Sequence, residues 1–134
     1  TALLKLMAPW NFITAIQDFA AQGKPIAGTC AGAILLAKNT IPAHTTLGLL
    51  DITVARNAYG RQIDSFIADA DDDTGPLVFI RAPKITTGGS NVDVLLTYQQ
   101  DPVLVRQANI LAATFHPEMA GLEILPQFFA QYKD

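Results

Sequence analysis

The chain has 134 residues and a mass of 14.4 kDa, enough for one domain around a single core and too little for a second enzyme-sized unit. Half of the residues are hydrophobic and 16% are charged, against roughly 25% charged in an average soluble domain, which excludes intrinsic disorder. A net charge of -3 and a pI near 5.1, with no basic cluster interleaved with aromatics, leave no footprint for nucleic acid.

Phe12, Ile13, Ile16, Phe19 and Ala20 recur at helical spacing after Pro9 and before Gly23, which predicts an amphipathic helix stopped by that glycine. Residues 24–27 follow as a short buried strand, then a glycine-flanked Cys30, then a second helix over 34–38. From Leu47 the pattern turns to short strands bounded by turn residues, at 51–55, 61–67, 77–81, 84–87 and 92–98, with two more at 102–107 and 110–115. Gly88-Gly89-Ser90 reads as a turn between strands. Asp69, Asp71, Asp72 and Asp73, with Thr74, Gly75 and Pro76, read as a solvated loop without chemistry, because no further ligands are spaced around them for a divalent metal. Pro126 is expected as the first residue of a last helix that sets Phe128, Phe129 and Tyr132 on one face. The apolar stretch 31–37, interrupted by Gly32, falls far short of the ~20 residues of a membrane helix. Together these elements define one α/β domain over residues 1–134, with Cys30 between a strand and a helix.

Gly28-Thr29-Cys30-Ala31-Gly32 is a G-x-C-x-G sequence at a strand-to-helix junction. A nucleophile elbow needs small neighbours because its turn is tight and strained, and glycines at 28 and 32 meet that need. A helix N-terminus would also favour thiolate over thiol at Cys30, so its pKa is expected below the usual ~8.5. The alternative is a structural cysteine buried at a small-residue crossing. As the only cysteine it forms no internal disulfide, and with no secretory pattern ahead of it a reducing cytoplasmic setting is expected.

The second signal is Thr114-Phe115-His116-Pro117-Glu118, placed at a strand's carboxyl end, where ligands of open α/β sheets gather. His116 there can serve Cys30 as a base, and Glu118 can hold the far imidazole nitrogen in one tautomer. The alternative is a satisfied histidine beside a surface glutamate. His44 sits in a polar loop and is expected in solvent, and one cysteine with two scattered histidines offers no metal-ligand spacing.

G-x-C-x-G followed by H-P-E near the C-terminus resembles the class I glutamine amidotransferases with a Cys-His-Glu triad. One branch is closer: residues 28–37, 47–54, the Arg56-Asn57-Ala58-Tyr59-Gly60-Arg61-Gln62 segment, Phe79-Ile80-Arg81-Ala82-Pro83 and 114–118 resemble the glutaminase subunit of pyridoxal phosphate synthase across nearly the whole chain. The R-N-x-[YF]-G-R-Q and F-I-R-A-P segments are specific to that branch. The resemblance implies an α/β flavodoxin-like three-layer sandwich with a mostly parallel central sheet and additional antiparallel strands. It also implies hydrolysis of L-glutamine through a cysteine thioester, no cofactor, and ammonia delivered to a barrel-shaped synthase subunit in a hetero-oligomer that makes pyridoxal 5'-phosphate.

The same resemblance implies Cys30 as nucleophile, His116 as base and acid, Glu118 as its orienting partner, and the Ala31 amide in the oxyanion hole. Arg56, Ile80 and Arg81 are implied as glutamine contacts, and a guanidinium suits a planar α-carboxylate. Met119-Ala120-Gly121-Leu122 departs from the family's polar continuation with an acidic residue and an arginine. Because the first residue is Thr1 and the family opens with a strand, a helix, another strand and a G-G-E-S loop that gives an oxyanion donor, an N-terminal truncation is expected, with helix 2–7 following the missing loop. On that expectation the chain alone is a poor glutaminase. The other readings open at this point are a fragment or pseudo-glutaminase that only docks to the synthase, and a cysteine hydrolase of another substrate.

Overall fold

A computed structural model describes residues 12–43, 45–56 and 65–132. The expected helix 2–7, His44 and the first part of the expected strand 61–67 lie outside the described residues. Helix α1, Phe12–Ala21, ends where Gly23 takes φ 79° and donates its N–H to Ala20 O, the glycine stop expected from the sequence. Strand β1, Ile26–Thr29, runs into Cys30 and helix α2, Ala31–Leu36. Strand β2, Ala37–Ile41, follows without a break. Lys38 is therefore a strand residue and not part of the helix expected over 34–38; Ala37 has already turned to extended backbone (ψ 147°). The remaining strands are β3 (Leu50–Ala55), β4 (Ser65–Asp69), β5 (Pro76–Ile80), β6 (Lys84–Gly88), β7 (Asp93–Tyr98), β8 (Asp101–Gln107) and β9 (Ile110–Ala113). A 3-10 turn over Pro117–Ala120 and helix α3, Ile124–Ala130, complete the described chain.

Pro126 is the third residue of α3 rather than the first, which costs no hydrogen bond because the first-turn N–H groups have no partner inside a helix. Gly121, with φ 69°, closes the 3-10 turn inside the unusual Met119-Ala120-Gly121-Leu122 stretch. Residues 70–75 of the acidic segment form the β4–β5 loop, with Asp69 ending β4 and Pro76 opening β5, and Gly89 with Ser90 lies in the bend between β6 and β7.

Three sheets are present among the described residues, ordered β1-β9-β8-β7, β2-β3-β6 and β4-β5. Among the described residues β1 with β9 and β2 with β3 pair in parallel and the other four pairs are antiparallel, so the fold is the expected α/β class with its additional antiparallel strands, while the sheet that holds β1 is mixed rather than mostly parallel. Three of the antiparallel pairs, β4–β5, β7–β8 and β8–β9, join strands consecutive in the chain through short connections, which can only reverse direction. β9 is buried at all four positions, and its side chains alternate between two cores. Ile110 and Ala112 pack with α2, β2, β3 and β6, whereas Leu111 and Ala113 pack with Phe79, Phe115 and Phe128. Among the described residues no helix is long and apolar enough to cross a membrane.

Candidate active site

Cys30 has φ 54° and ψ -109°, a left-handed conformation that L-residues avoid and that marks a strained turn. Its backbone is fixed on both sides: the N–H donates to Ala113 O at 2.8 Å, and its carbonyl accepts from Ala33 and Ile34 at 3.0 and 3.3 Å. Gly28 makes the elbow possible. A Cβ there would lie 2.6 Å from Gly32 C and 2.8 Å from Leu36 Cδ1, so only glycine lets β1 approach α2. Gly32, by contrast, has open space where a Cβ would go, so the elbow needs its backbone and not its missing side chain.

Parallel pairing of β1 with β9 sets Thr29 beside Ala113, which brings the residues after both strands to one sheet end. His116 lies there, anchored by its N–H on Val78 O at 2.8 Å, and its Nδ1 is 3.0 Å from Glu118 Oε1. The imidazole is partly buried while the carboxylate is more than half exposed. This pairing disposes Nδ1 as donor and leaves Nε2 as acceptor. The Cys30 thiol makes its hydrogen bond to Ile80 O at 3.3 Å; among the described residues none joins it to the imidazole. Burial pushes the Cys30 thiol pKa up, and the Ala31 amide pulls it down less. The direction is opposite to the lowered pKa expected from a helix N-terminus, because desolvation outweighs one amide of a six-residue helix.

Strand β5 supplies what sequence reading could not find: the carbonyls of Val78 and Ile80 hold His116 and Cys30, two residues apart. Main-chain acceptors carry no residue-type signal. Arg81 follows Ile80 with φ 46° and an exposed side chain. Arg56 follows β3, partly buried, with its N–H on Ile41 O at 2.9 Å. The rest of its segment, residues 57–62, lies outside the described residues. No group of three or more His, Cys, Asp or Glu able to hold a metal occurs among the described residues.

A left-handed cysteine at a strand-to-helix elbow, with a His–Glu pair at the end of the adjacent parallel strand, defines the class: an α/β protein with the elbow of the glutamine amidotransferases. The chain belongs to the SNO glutamine amidotransferase family, whose sequence model matches residues 1–132. It is 44% identical over 140 aligned positions to the pyridoxal 5'-phosphate synthase subunit PdxT of Desulforudis audaxviator strain MP104C, covering 100% of this chain and 74% of that protein. Identity to the PdxT subunit of Francisella tularensis subsp. tularensis strain WY96-3418 is 46% over 131 positions, 96% of this chain and 70% of the relative. A crystal structure of a glutamine amidotransferase superposes with a TM-score of 0.85 at 39% identity, covering 95% of this chain and 70% of that one.

Proposed function

We propose that this chain is the glutaminase subunit of a pyridoxal 5'-phosphate synthase, hydrolysing L-glutamine to glutamate and ammonia at Cys30. The observation that carries the reading is the left-handed Cys30 closing a strand whose parallel neighbour leads into the hydrogen-bonded His116–Glu118 pair. The names of the PdxT relatives support the pathway. Nε2 of neutral His116 takes the thiol proton, and Glu118 stabilises the resulting imidazolium through Nδ1. The thiolate adds to the carboxamide carbon, and the oxyanion that forms accepts the Ala31 N–H. As the C–N bond breaks, His116 returns the proton to the leaving nitrogen, which departs as ammonia. A water that gives its proton to His116 then adds to the thioester, releasing glutamate and restoring the thiol. Arg56 and Arg81 clamp the substrate's α-carboxylate, with Ile80 lining the same pocket.

In this reading residues 1–134 act as one glutaminase domain in the cytoplasm, without a cofactor. Ammonia passes to a barrel-shaped synthase subunit in a hetero-oligomer. The test is glutamine hydrolysis by the chain with and without a synthase subunit, alongside labelling by a glutamine-mimicking electrophile. Label should appear on Cys30 and vanish in Cys30→Ala. His116→Ala should lower turnover by ~10²- to 10⁴-fold at nearly unchanged glutamine affinity, whereas Arg56→Ala should chiefly weaken binding. Labelling that survives Cys30→Ala, or equal losses of affinity in both variants, would contradict the roles.

A further inference from the structure

The thiol of Cys30 meets a hydrogen-bond acceptor that is not its base. Sγ lies 3.3 Å from the main-chain oxygen of Ile80, and among the described residues no hydrogen bond joins it to His116. A carbonyl oxygen can only accept, so this contact exists only while sulfur keeps its proton; a thiolate would face the negative end of the C=O dipole. Val78, two residues earlier on the same strand, holds the His116 N–H at 2.8 Å, so β5 carries both the anchor of the base and the acceptor for the thiol. The direction of the Ile80 carbonyl depends on the next residue, Arg81, whose φ of 46° is a strained left-handed conformation for a side chain other than glycine.

We propose that the Ile80 carbonyl, aimed by the left-handed backbone at Arg81, is a positioning group for the nucleophile: it keeps the resting thiol as its hydrogen-bond donor, and the thiol must leave it to give its proton to His116. Burial of the sulfur acts in the same direction by disfavouring the thiolate. The inference rests on the glutaminase reading of Cys30 and His116 and adds to it a resting state with a defined exit. Such a group protects an unoccupied site from alkylation and oxidation, because the reactive species in both is the thiolate.

Two variants isolate the backbone effect. Arg81→Gly and Arg81→Pro remove the same guanidinium, but glycine accepts φ 46° freely while proline fixes φ near ~-65° and swings the Ile80–Arg81 peptide away. Two readouts apply to the intact chain: the rate of Cys30 alkylation by iodoacetamide at fixed neutral pH, and the S–H stretching band in the infrared. Cys30 is the only cysteine in the sequence, so that band belongs to it alone. In the native chain and in Arg81→Gly the band should lie below that of the urea-unfolded chain, as for a thiol bonded to a carbonyl. Arg81→Pro should lose the shift and alkylate about three- to tenfold faster than Arg81→Gly, the effect of one released hydrogen bond. Equal rates with unchanged bands in the two variants overturn the proposal, and so does a native band at the unfolded position. The native band alone decides if Arg81→Pro does not fold. Neither readout involves glutamine, so their failure leaves the glutaminase reading standing, whereas a Cys30 that no glutamine-mimicking electrophile labels defeats that reading without touching this one.

Discussion

At Gly28 a methyl group would sit 2.6 and 2.7 Å from the carbonyl carbon and oxygen of Gly32, backbone atoms that cannot yield without moving α2 off β1. Gly28→Ala is therefore expected to destabilise the fold by about 1–3 kcal/mol through overpacking and to displace Cys30 with the helix it precedes. Gly32→Ala meets open space inside a helix and should be neutral or stabilising by up to ~1 kcal/mol. Urea unfolding of both variants checks the contrast, and a Gly28→Ala protein as stable as the native one would refute the close-approach argument. The two glycines are indistinguishable in the G-x-C-x-G letters. The sequence revealed the elbow and the His–Glu pair because strained turns and bases restrict residue type; the sign of the cysteine's pKa depends on how deeply neighbours from β5 and β9 bury it, which no local pattern records.

Among the elements, the β7–β8 hairpin has a turn its own residues disfavour. Gln99 and Gln100 have φ of 50° and 71°, both positive as a two-residue type I′ turn requires, where asparagine and glycine are preferred. Asp71, reaching over from the β4–β5 loop, holds that turn: its carboxylate accepts from Gln99 N at 2.9 Å, Gln100 N at 2.8 Å and Thr97 Oγ1 at 2.7 Å. The aspartate run thus contains a structural clamp as well as solvated carboxylates, a role set by contacts 26 to 29 residues away and absent from its own spacing. The Gln100 amide, then the Thr97 hydroxyl, draws the Asp71 pKa below its ordinary 3.8. A depressed carboxylate stabilises the fold above its unfolded pKa and loses that contribution as pH falls through the folded value. Asp71→Asn should consequently lower Tm at neutral pH, and its gap from the native chain should close as pH drops below about 4. Placing Asn-Gly at 99 and 100 should recover Tm in the Asp71→Asn background; thermal melts across pH that show a constant gap would contradict the charge-based account.

Across the whole molecule, the two cores on opposite faces of β8 and β9 stand in different relations to the site. The face built from α2, β2, β3 and β6 supports the elbow helix through Ala33, Leu36 and Leu50. The other face holds β5, the strand that binds both reactive residues, through an aromatic cluster: Phe79 stacks on Phe66 at 4.7 Å and 16°, and meets Tyr98 at 5.4 Å and Phe115 edge-on at 6.1 Å. Arg106 of β8 completes that side, donating to Gln131 and Tyr132 and covering the Phe128 ring at 5.1 Å, so α3 is locked onto the same sheet. Periodicity in the sequence located most of these strands, yet not their order, because the pairing of β1 with β9 joins segments 84 residues apart whose register is set only when both cores close.

The consequence is a difference between core substitutions of similar cost. Ile52→Val in the first core and Phe79→Leu in the second each remove little buried volume at a fully or nearly fully buried position, and each should cost roughly 1–2 kcal/mol in urea unfolding. Ile52, on β3, packs in the first core and not in the one that holds β5, so its variant should alkylate at Cys30 at the native rate. Phe79 lies between Val78 and Ile80, and a gap beneath it lets the two carbonyls turn and shift, which changes the direction from which the Ile80 oxygen meets the Cys30 thiol. Phe79→Leu should therefore change the Cys30 alkylation rate severalfold and, with glutamine and a synthase subunit, depress kcat more than Ile52→Val does at matched stability. Identical alkylation rates in the two variants would show that the second core holds β5 in place without setting the geometry at its end.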